Sequence, residues 1–476
     1  MVKEAGGRFA LSGKEAVAVG TGALTFTEGA PAGLSSCPRI IIAAPASGSG
    51  KTMLTCGLMK AFRDRGLAVH GMKCGPDFID PLFHAKILGV KSRNIDGFLM
   101  NREQMRATLY RHGKDADITV MEGVMGYYDG IGGSSVALST YETAAVTRTP
   151  VLLVVDCSGC GVSIVPMIRG LKDYRSDAGI AGVILNNISD GLAEKLAEVI
   201  LEETDLPVVG SLPKDPALAV GSRHLGLVLP DEIKDIEEKL AGLAGRIAEY
   251  FDLDKILEIA GKAPEVRECS SGIAAGLEDA PAKRIAVAAD EAFCFMNDDN
   301  EDALREAGAE IVHFSPLHDE HLPENISGII LPGGYPELYC KALSENVSMR
   351  AEIKQAHASG MPLMAECGGF LYLHDSLKDM DGTVWPLVGL LDAEAYYAGK
   401  TGRFGYITVM DKETGREVRA HEFHAYESTD PGSACMAVKP VSGRNWKCMH
   451  KVNGGLWGFP HLYYPSCPEI VEAFLK

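Results

Sequence analysis

The stretch RIIIAAPASGSGKT, residues 39–52, decides the fold of the first half of the chain. Its first six residues, a β-branched and small apolar run, read as a buried strand, and Met53 and Leu54 begin a helical pattern right after Lys51 and Thr52. Between strand and helix, Gly48 and Gly50 let backbone amides approach a phosphate. Lys51 can reach terminal phosphates and the Thr52 hydroxyl can ligate Mg²⁺. A strict GxxxxGK[ST] motif would have glycine where Pro45 stands, so this is a variant phosphate loop.

The same rhythm continues outward. LAVHGMK (67–73), DITVME (117–122), PVLLVVD (150–156), GIAGVILN (179–186) and LPVVGSL (206–212) are strand-like runs, each followed by a longer amphipathic stretch. Such alternation predicts an α/β fold with a mostly parallel sheet and helices on both faces. Residues 1–37, rich in Gly, Ala, Ser and Thr, predict a poorly ordered extension, and 38–258 the phosphate-loop domain. Residues 259–283 read as a linker. A second α/β unit, 284–476, opens with RIAVAAD, EIVHFSP, SGIILPGG and MPLMAEC and turns β-rich from about residue 388.

At 476 residues with 46% hydrophobic composition, the chain can bury the cores of two or three domains. A formal charge of −18 argues against broad binding to nucleic acid or an anionic membrane. No apolar run approaches a membrane-spanning length and no export signal opens the chain, so a cytoplasmic protein is expected. Twelve scattered cysteines fit a reducing compartment, and the lone CxxC of Cys157 and Cys160 favours packing over a metal site.

Metal-bound nucleotide chemistry also needs carboxylates at neighbouring strand ends. Glu122, Asp156, and Asp77 and Asp80 in the loop CGPDFIDP all lie at predicted carboxyl ends, with capping or loop solvation favoured for Asp156. Lys73, at the end of LAVHGMK, can neutralise a phosphate or a substrate carboxylate. In the second unit, AECGGFLYL (365–373) puts Cys367 on a tight strand-to-helix turn, where amides and the helix dipole favour a thiolate and can hold an oxyanion. A small buried core cysteine explains that stretch nearly as well. PGGYPE (332–337) supplies paired glycines after a strand, and His421, His424 and His461 offer a base, of which His461 in GFPHLYY is preferred.

CGPDFIDPLFH, EGVMGYYDG, SRHLGL, DEAF, FSPL, LPGGYPE and AECGGF, in this order behind the variant loop, resemble the cobyrinate a,c-diamide synthase family, the glutamine-dependent amidotransferases of corrinoid biosynthesis. The resemblance covers residue 39 to the end, apart from the linker. It implies a P-loop NTPase domain like dethiobiotin synthetase, followed by a class I glutamine amidotransferase-like α/β domain. ATP would bind at Ser47, Gly48, Ser49, Gly50, Lys51 and Thr52, with Mg²⁺ on Thr52, Asp80 and Glu122 and substrate at Lys73 and Asp77. Cys367 would attack glutamine, His461 would shuttle protons, and the amides of Gly334 and Gly368 would hold the oxyanion.

The expected substrate is a tetrapyrrole polycarboxylate, activated as an acyl phosphate; hydrogenobyrinate and nickel sirohydrochlorin are the alternatives to cobyrinate. A homodimer is left open. Tyr463 occupies the place where ordinary class I glutaminases carry the acid that orients the histidine, an acid that the corrin and cobyric acid branch also lacks; CFMN (294–297) follows DEAF where aromatic residues are usual, and HLYYPS (461–466) replaces the commoner histidine-rich ending. A reading of another class is a nucleotide switch like the partition ATPases with a non-catalytic second domain, but such a domain has no use for both Cys367 and His461.

Overall fold

The computed structural model describes residues 34–89, 92–215, 222–223, 226–227, 230, 233–268, 282–399 and 402–476. Residues 1–33 of the expected extension, 269–281 of the expected linker and the middle of SRHLGL lie outside the described residues.

The first sheet has seven strands: β1 (Arg39–Ala43), β2 (Val69–Cys74), β3 (Arg93–Ile95), β4 (Ile118–Glu122), β5 (Val151–Asp156), β6 (Ile180–Asn186) and β7 (Val208–Leu212). They lie in the order β3-β2-β4-β1-β5-β6-β7, and every pairing is parallel. β1 is buried throughout because it sits near the middle of a sheet covered on both faces. Ile40 and Ile42 join one core with Val120, Leu152 and Val154, while Ile41 and Ala43 join the other with Met121, Leu153 and Val155. Helix α1 (Lys51–Asp64) follows β1, and α2 (Ile79–Leu88) follows β2. The phosphate loop and the CGPDFIDP loop therefore open on the same carboxyl edge, as parallel βα units require.

The boundary segments join this domain more closely than expected. Helix Leu253–Gly261 buries Ile256, Ile259 and Ala260, and Val266–Arg267 pairs antiparallel with Leu34–Ser35. Parts of both the expected extension and the expected linker thus belong to the domain's structure.

The second unit is built on β8 (Lys283–Ala288), β9 (Ala309–Phe314), β10 (Gly328–Leu331), β11 (Leu363–Glu366), β12 (Arg403–Asp411), β13 (Glu417–His424), β14 (His450–Val452), β15 (Gly455–Gly458) and β16 (His461–Leu462). A six-stranded sheet runs β9-β8-β10-β11-β15-β14, parallel except for the final pair. β12, β13 and β16 form an antiparallel sheet with Cys435–Val438 and Asn445–Cys448. Cys367 and helix α3 (Gly368–Tyr372) follow β11 directly.

Polar contacts lock the units together. The Tyr406 hydroxyl donates to Asp96 at 2.5 Å, Arg419 to the Phe98 carbonyl at 2.8 Å, and Arg93 pairs with Asp302 at 2.7 Å. No described helix is long and apolar enough to cross a membrane. Cys157 is buried, Cys160 is exposed and both are free thiols.

Candidate active sites

The first site is a cavity of about 670 Å³ on the carboxyl edge of the seven-stranded sheet. Ser47, Gly48, Gly50, Lys51, Thr52, Lys73, Asp77, Asp80 and Glu122 line it, bringing nearly all of the candidates for this site together. Gly50 has φ of 94°, a left-handed conformation that lets the loop turn directly into α1. Ser49 turns inward and donates to the Ala46 carbonyl at 3.0 Å. Asp156 is absent from the lining. It accepts from the backbone and side chain of Ser158 and from Asn187, which tie it into the loop after β5.

Charge is concentrated at the cavity floor. Lys73 and Glu122 are register partners on β2 and β4, 3.0 Å apart, and Lys73 also pairs with Asp80. Burial disfavours the Lys73 charge, but Glu122, Asp80 and Asp77 override it and hold the ammonium above its usual range. Burial likewise opposes the Glu122 charge, yet Lys73, His84 and Thr52 keep its carboxyl ionised, below the usual range. The Thr52 hydroxyl donates to Glu122 at 2.5 Å. Asp80 and Glu122 already converge on a cation, the Lys73 ammonium, and with the Thr52 hydroxyl bonded to Glu122 they make an all-oxygen donor set that suits a hard divalent ion. Burial and the neighbouring Lys73 lower Lys51 to about 8, a shift that the charge of a bound phosphate would oppose. Lys51 donates to the carbonyls of Met125 and Ala46.

Two residues not singled out from sequence complete this floor. His84 is fully buried between Glu122, at 2.8 Å, and Ser92, at 3.0 Å. It follows Asp80 by four residues on α2, so the shared helix face was a readable signal. Asn186, ending β6, donates to the Ser49 carbonyl at 3.0 Å and braces the phosphate loop from a neighbouring strand end.

The second site surrounds Cys367. Its φ of 46° and ψ of −104° are a strained elbow, held by its N–H to the Gly458 carbonyl at 2.8 Å and by its own carbonyl to Leu371 N at 2.9 Å. Close packing explains the glycines around it. A Cβ on Gly334 would lie 2.0 Å from the Ala292 carbonyl oxygen, and one on Gly368 would lie 2.9 Å from Gly334 N, so the two backbone segments proposed as oxyanion donors abut. The thiol donates to the Phe423 carbonyl at 3.9 Å. Burial, with Glu337 and Glu422 adding to it, pushes the thiol above its usual range, while the Gly368 amide works the other way. It rests protonated and needs a base.

All three candidate histidines lie on adjacent strands here. His461 on β16 is the register partner of His421 on β13, with ring centroids 5.6 Å apart. Burial, with His421 and His424 beside it, pushes His461 well below its usual value, so it rests neutral and able to take a proton. His424 is committed elsewhere: one ring nitrogen faces Glu422 at 2.8 Å and the other the Tyr426 carbonyl at 2.6 Å. Tyr463 does not orient His461; its hydroxyl donates to Asp299 at 2.9 Å. Met296 packs against the core, and Asn297 caps the helix at Asp298–Glu306 by accepting from Asp299 N.

The model for the CobQ/CobB/MinD/ParA nucleotide binding domain matches residues 40–227, and that for the CobB/CobQ-like glutamine amidotransferase domain matches residues 284–457. The chain is 38% identical to the cobyrinate a,c-diamide synthase of Listeria innocua over 448 residues, covering 91% of this chain and 98% of that one. The chain belongs to the cobyrinate a,c-diamide synthase family. Its likeness to the family's proteins from Methanosarcina acetivorans, 39% identical over 477 residues, and Caldanaerobacter subterraneus, 36% over 448, also spans at least 92% of this chain. Membership makes it a carbon–nitrogen ligase with glutamine as nitrogen donor, built from a nucleotide-binding and an amidotransferase domain.

Proposed function

We propose that the protein amidates the a- and c-side-chain carboxylates of cobyrinate in the cytoplasm, consuming ATP and glutamine for each amide. The observation that carries this reading is the pairing, on one chain, of the charged cavity around Lys51, Lys73 and Glu122 with the strained Cys367 turn and neutral His461, the Gly333–Gly334 segment packing against His461 on one side and Gly368 on the other.

A carboxylate is a poor electrophile, so it first attacks the γ-phosphorus of ATP and releases ADP, leaving an acyl phosphate. Residues 47–52 cradle the phosphates and Lys51 follows the charge of the transferring group. Thr52, Asp80 and Glu122 would hold Mg²⁺, which when bound neutralises phosphate charge. Lys73 and Asp77 face the substrate. In the other site His461 takes the Cys367 proton, sulfur attacks the glutamine amide carbon, and the oxyanion is held at Gly334 and Gly368. The proton returns to the departing nitrogen, ammonia leaves, and water cleaves the thioester to glutamate. Ammonia then attacks the acyl phosphate and expels phosphate.

The test is mass spectrometry of cobyrinate, hydrogenobyrinate and nickel sirohydrochlorin after incubation with ATP, Mg²⁺ and either glutamine or ammonium. Two amidations of cobyrinate are expected. Cys367→Ala should retain only the ammonium-supported reaction, and Lys51→Ala should lose both. Amidation of another macrocycle in preference to cobyrinate overturns the substrate assignment, and equal loss of both donors in Cys367→Ala overturns the division of labour.

A further inference from the structure

The CGPDFIDP loop and the first turn of α2 place Asp77 and Asp80 in the nucleotide cavity, but Phe78, which lies between the two and precedes α2, faces the other site. Its ring lies 5.1 Å from the His461 ring and 6.3 Å from that of His421. It also stacks on Phe295 at 5.4 Å and 15°. Phe295 in turn donates its N–H to the Gly333 carbonyl at 2.9 Å and meets Tyr335 edge-on at 5.0 Å. One ring from the nucleotide-binding domain thus touches the glutaminase base directly and, through Phe295, the glycine segment beside Cys367.

His461 has little else to hold it. Its Nδ1 is buried without a hydrogen-bond partner among the described residues, and Tyr463, at the usual place of an orienting acid, is bonded to Asp299. The imidazole lies against Gly333 so closely that a Cβ there would come within 2.3 Å of its Cε1. Gly333, the Phe78 ring and the neighbouring His421 ring therefore confine it by contact.

We propose that Phe78 is a positioning residue for glutamine hydrolysis: it holds the His461 imidazole against Gly333 in the orientation that receives the Cys367 proton. Because Phe78 shares its loop with Asp77 and Asp80, a shift of that loop when the nucleotide cavity fills is passed to His461 without any hydrogen-bond relay. The coupling to nucleotide rests on the function proposed above; the contact itself does not.

The experiment compares full-length wild type, Phe78→Ala and Phe78→Tyr. Three rates are measured: amidation with glutamine, amidation with ammonium, and alkylation of Cys367 by a diazoketone analogue of glutamine, which needs no macrocycle. In Phe78→Ala, glutamine-supported amidation and alkylation should fall roughly ten- to hundredfold in kcat, the scale expected for a misplaced base. Ammonium-supported amidation should stay within about twofold, below the rate effect of any lost catalytic contact. Phe78→Tyr should recover most of the loss, and ATP with Mg²⁺ should accelerate alkylation in wild type but not in Phe78→Ala. Unchanged alkylation in Phe78→Ala, or equal loss with both nitrogen donors, overturns the proposal. If wild type amidates none of the macrocycles yet Phe78→Ala still slows alkylation, the substrate reading fails and the positioning role stands.

Discussion

Replacing Gly333 with alanine probes the same ring from its other side. The added Cβ would sit 2.3 Å from His461 Cε1, 3.1 Å from Nδ1 and 3.3 Å from Nε2. Carbon atoms rest about 3.5–4.0 Å apart, so the imidazole must retreat by more than about 1 Å. Gly333 has no positive φ, which frees alanine from backbone strain and directs the whole perturbation to the base. A displacement of about 1 Å costs on the order of a hundredfold, or about 2.7 kcal/mol of transition-state stabilisation. The assay is steady-state amidation with glutamine and, separately, with ammonium. Glutamine-supported kcat should drop by about two orders of magnitude while the ammonium-supported rate holds, because the phosphoryl-transfer cavity is untouched. A variant that keeps its glutamine rate would show that His461 is not the base; equal loss with both donors would show a general structural defect instead.

Two further outcomes concern stability. Tyr406→Phe keeps the stack on Phe98 at 4.7 Å but strips the hydroxyl from Asp96, a carboxylate only 1% exposed, and should cost about 1.5–3 kcal/mol in urea unfolding; no change in midpoint refutes this interdomain contact. His374 is buried between the Phe370 carbonyl and Ser428, and burial lowers it to about 4 from an ordinary 6.5. The unfolded chain therefore takes up this proton first. The stability it contributes is complete above pH 6.5 and is lost as pH falls toward 4, amounting to about 2 kcal/mol by pH 5. Comparing wild type with His374→Gln isolates this slope from the opposing slopes of Asp299 and Glu366, whose acids burial raises; identical pH profiles for the two proteins would refute it.

Much of the nucleotide cavity was legible because its chemistry follows strand ends. Lys73 and Glu122 are far apart in the chain, yet each ends an apolar run, and parallel pairing of β2 with β4 makes them neighbours. His84 and Asn186 escaped notice although each carried a signal, one on the helix face of Asp80 and the other at the end of β6. Composition misled at the domain boundary. The Gly- and Ala-rich stretch from residue 259 read as a linker, but its first residues, Ile259 and Ala260, continue the buried face of the helix that begins at Leu253.

The base proposed for glutamine hydrolysis shows where local reading stops. His421, His424 and His461 are equivalent by residue type, and what separates them is the β13–β16 register and the partners each ring acquires. His424 has both nitrogens occupied, so it cannot move a proton without breaking a buried contact. His461 keeps a free nitrogen at the cost of having no orienting acid, and is steadied by Gly333 and Phe78 instead. An orienting acid leaves a trace at a fixed spacing. Contact with a glycine in the loop after β10 and a phenylalanine from another domain leaves none, because neither residue is unusual where it stands. A base held this way is only as well placed as its neighbours, so the loop that carries Asp77 and Asp80 is physically able to tie nitrogen release to an occupied nucleotide site.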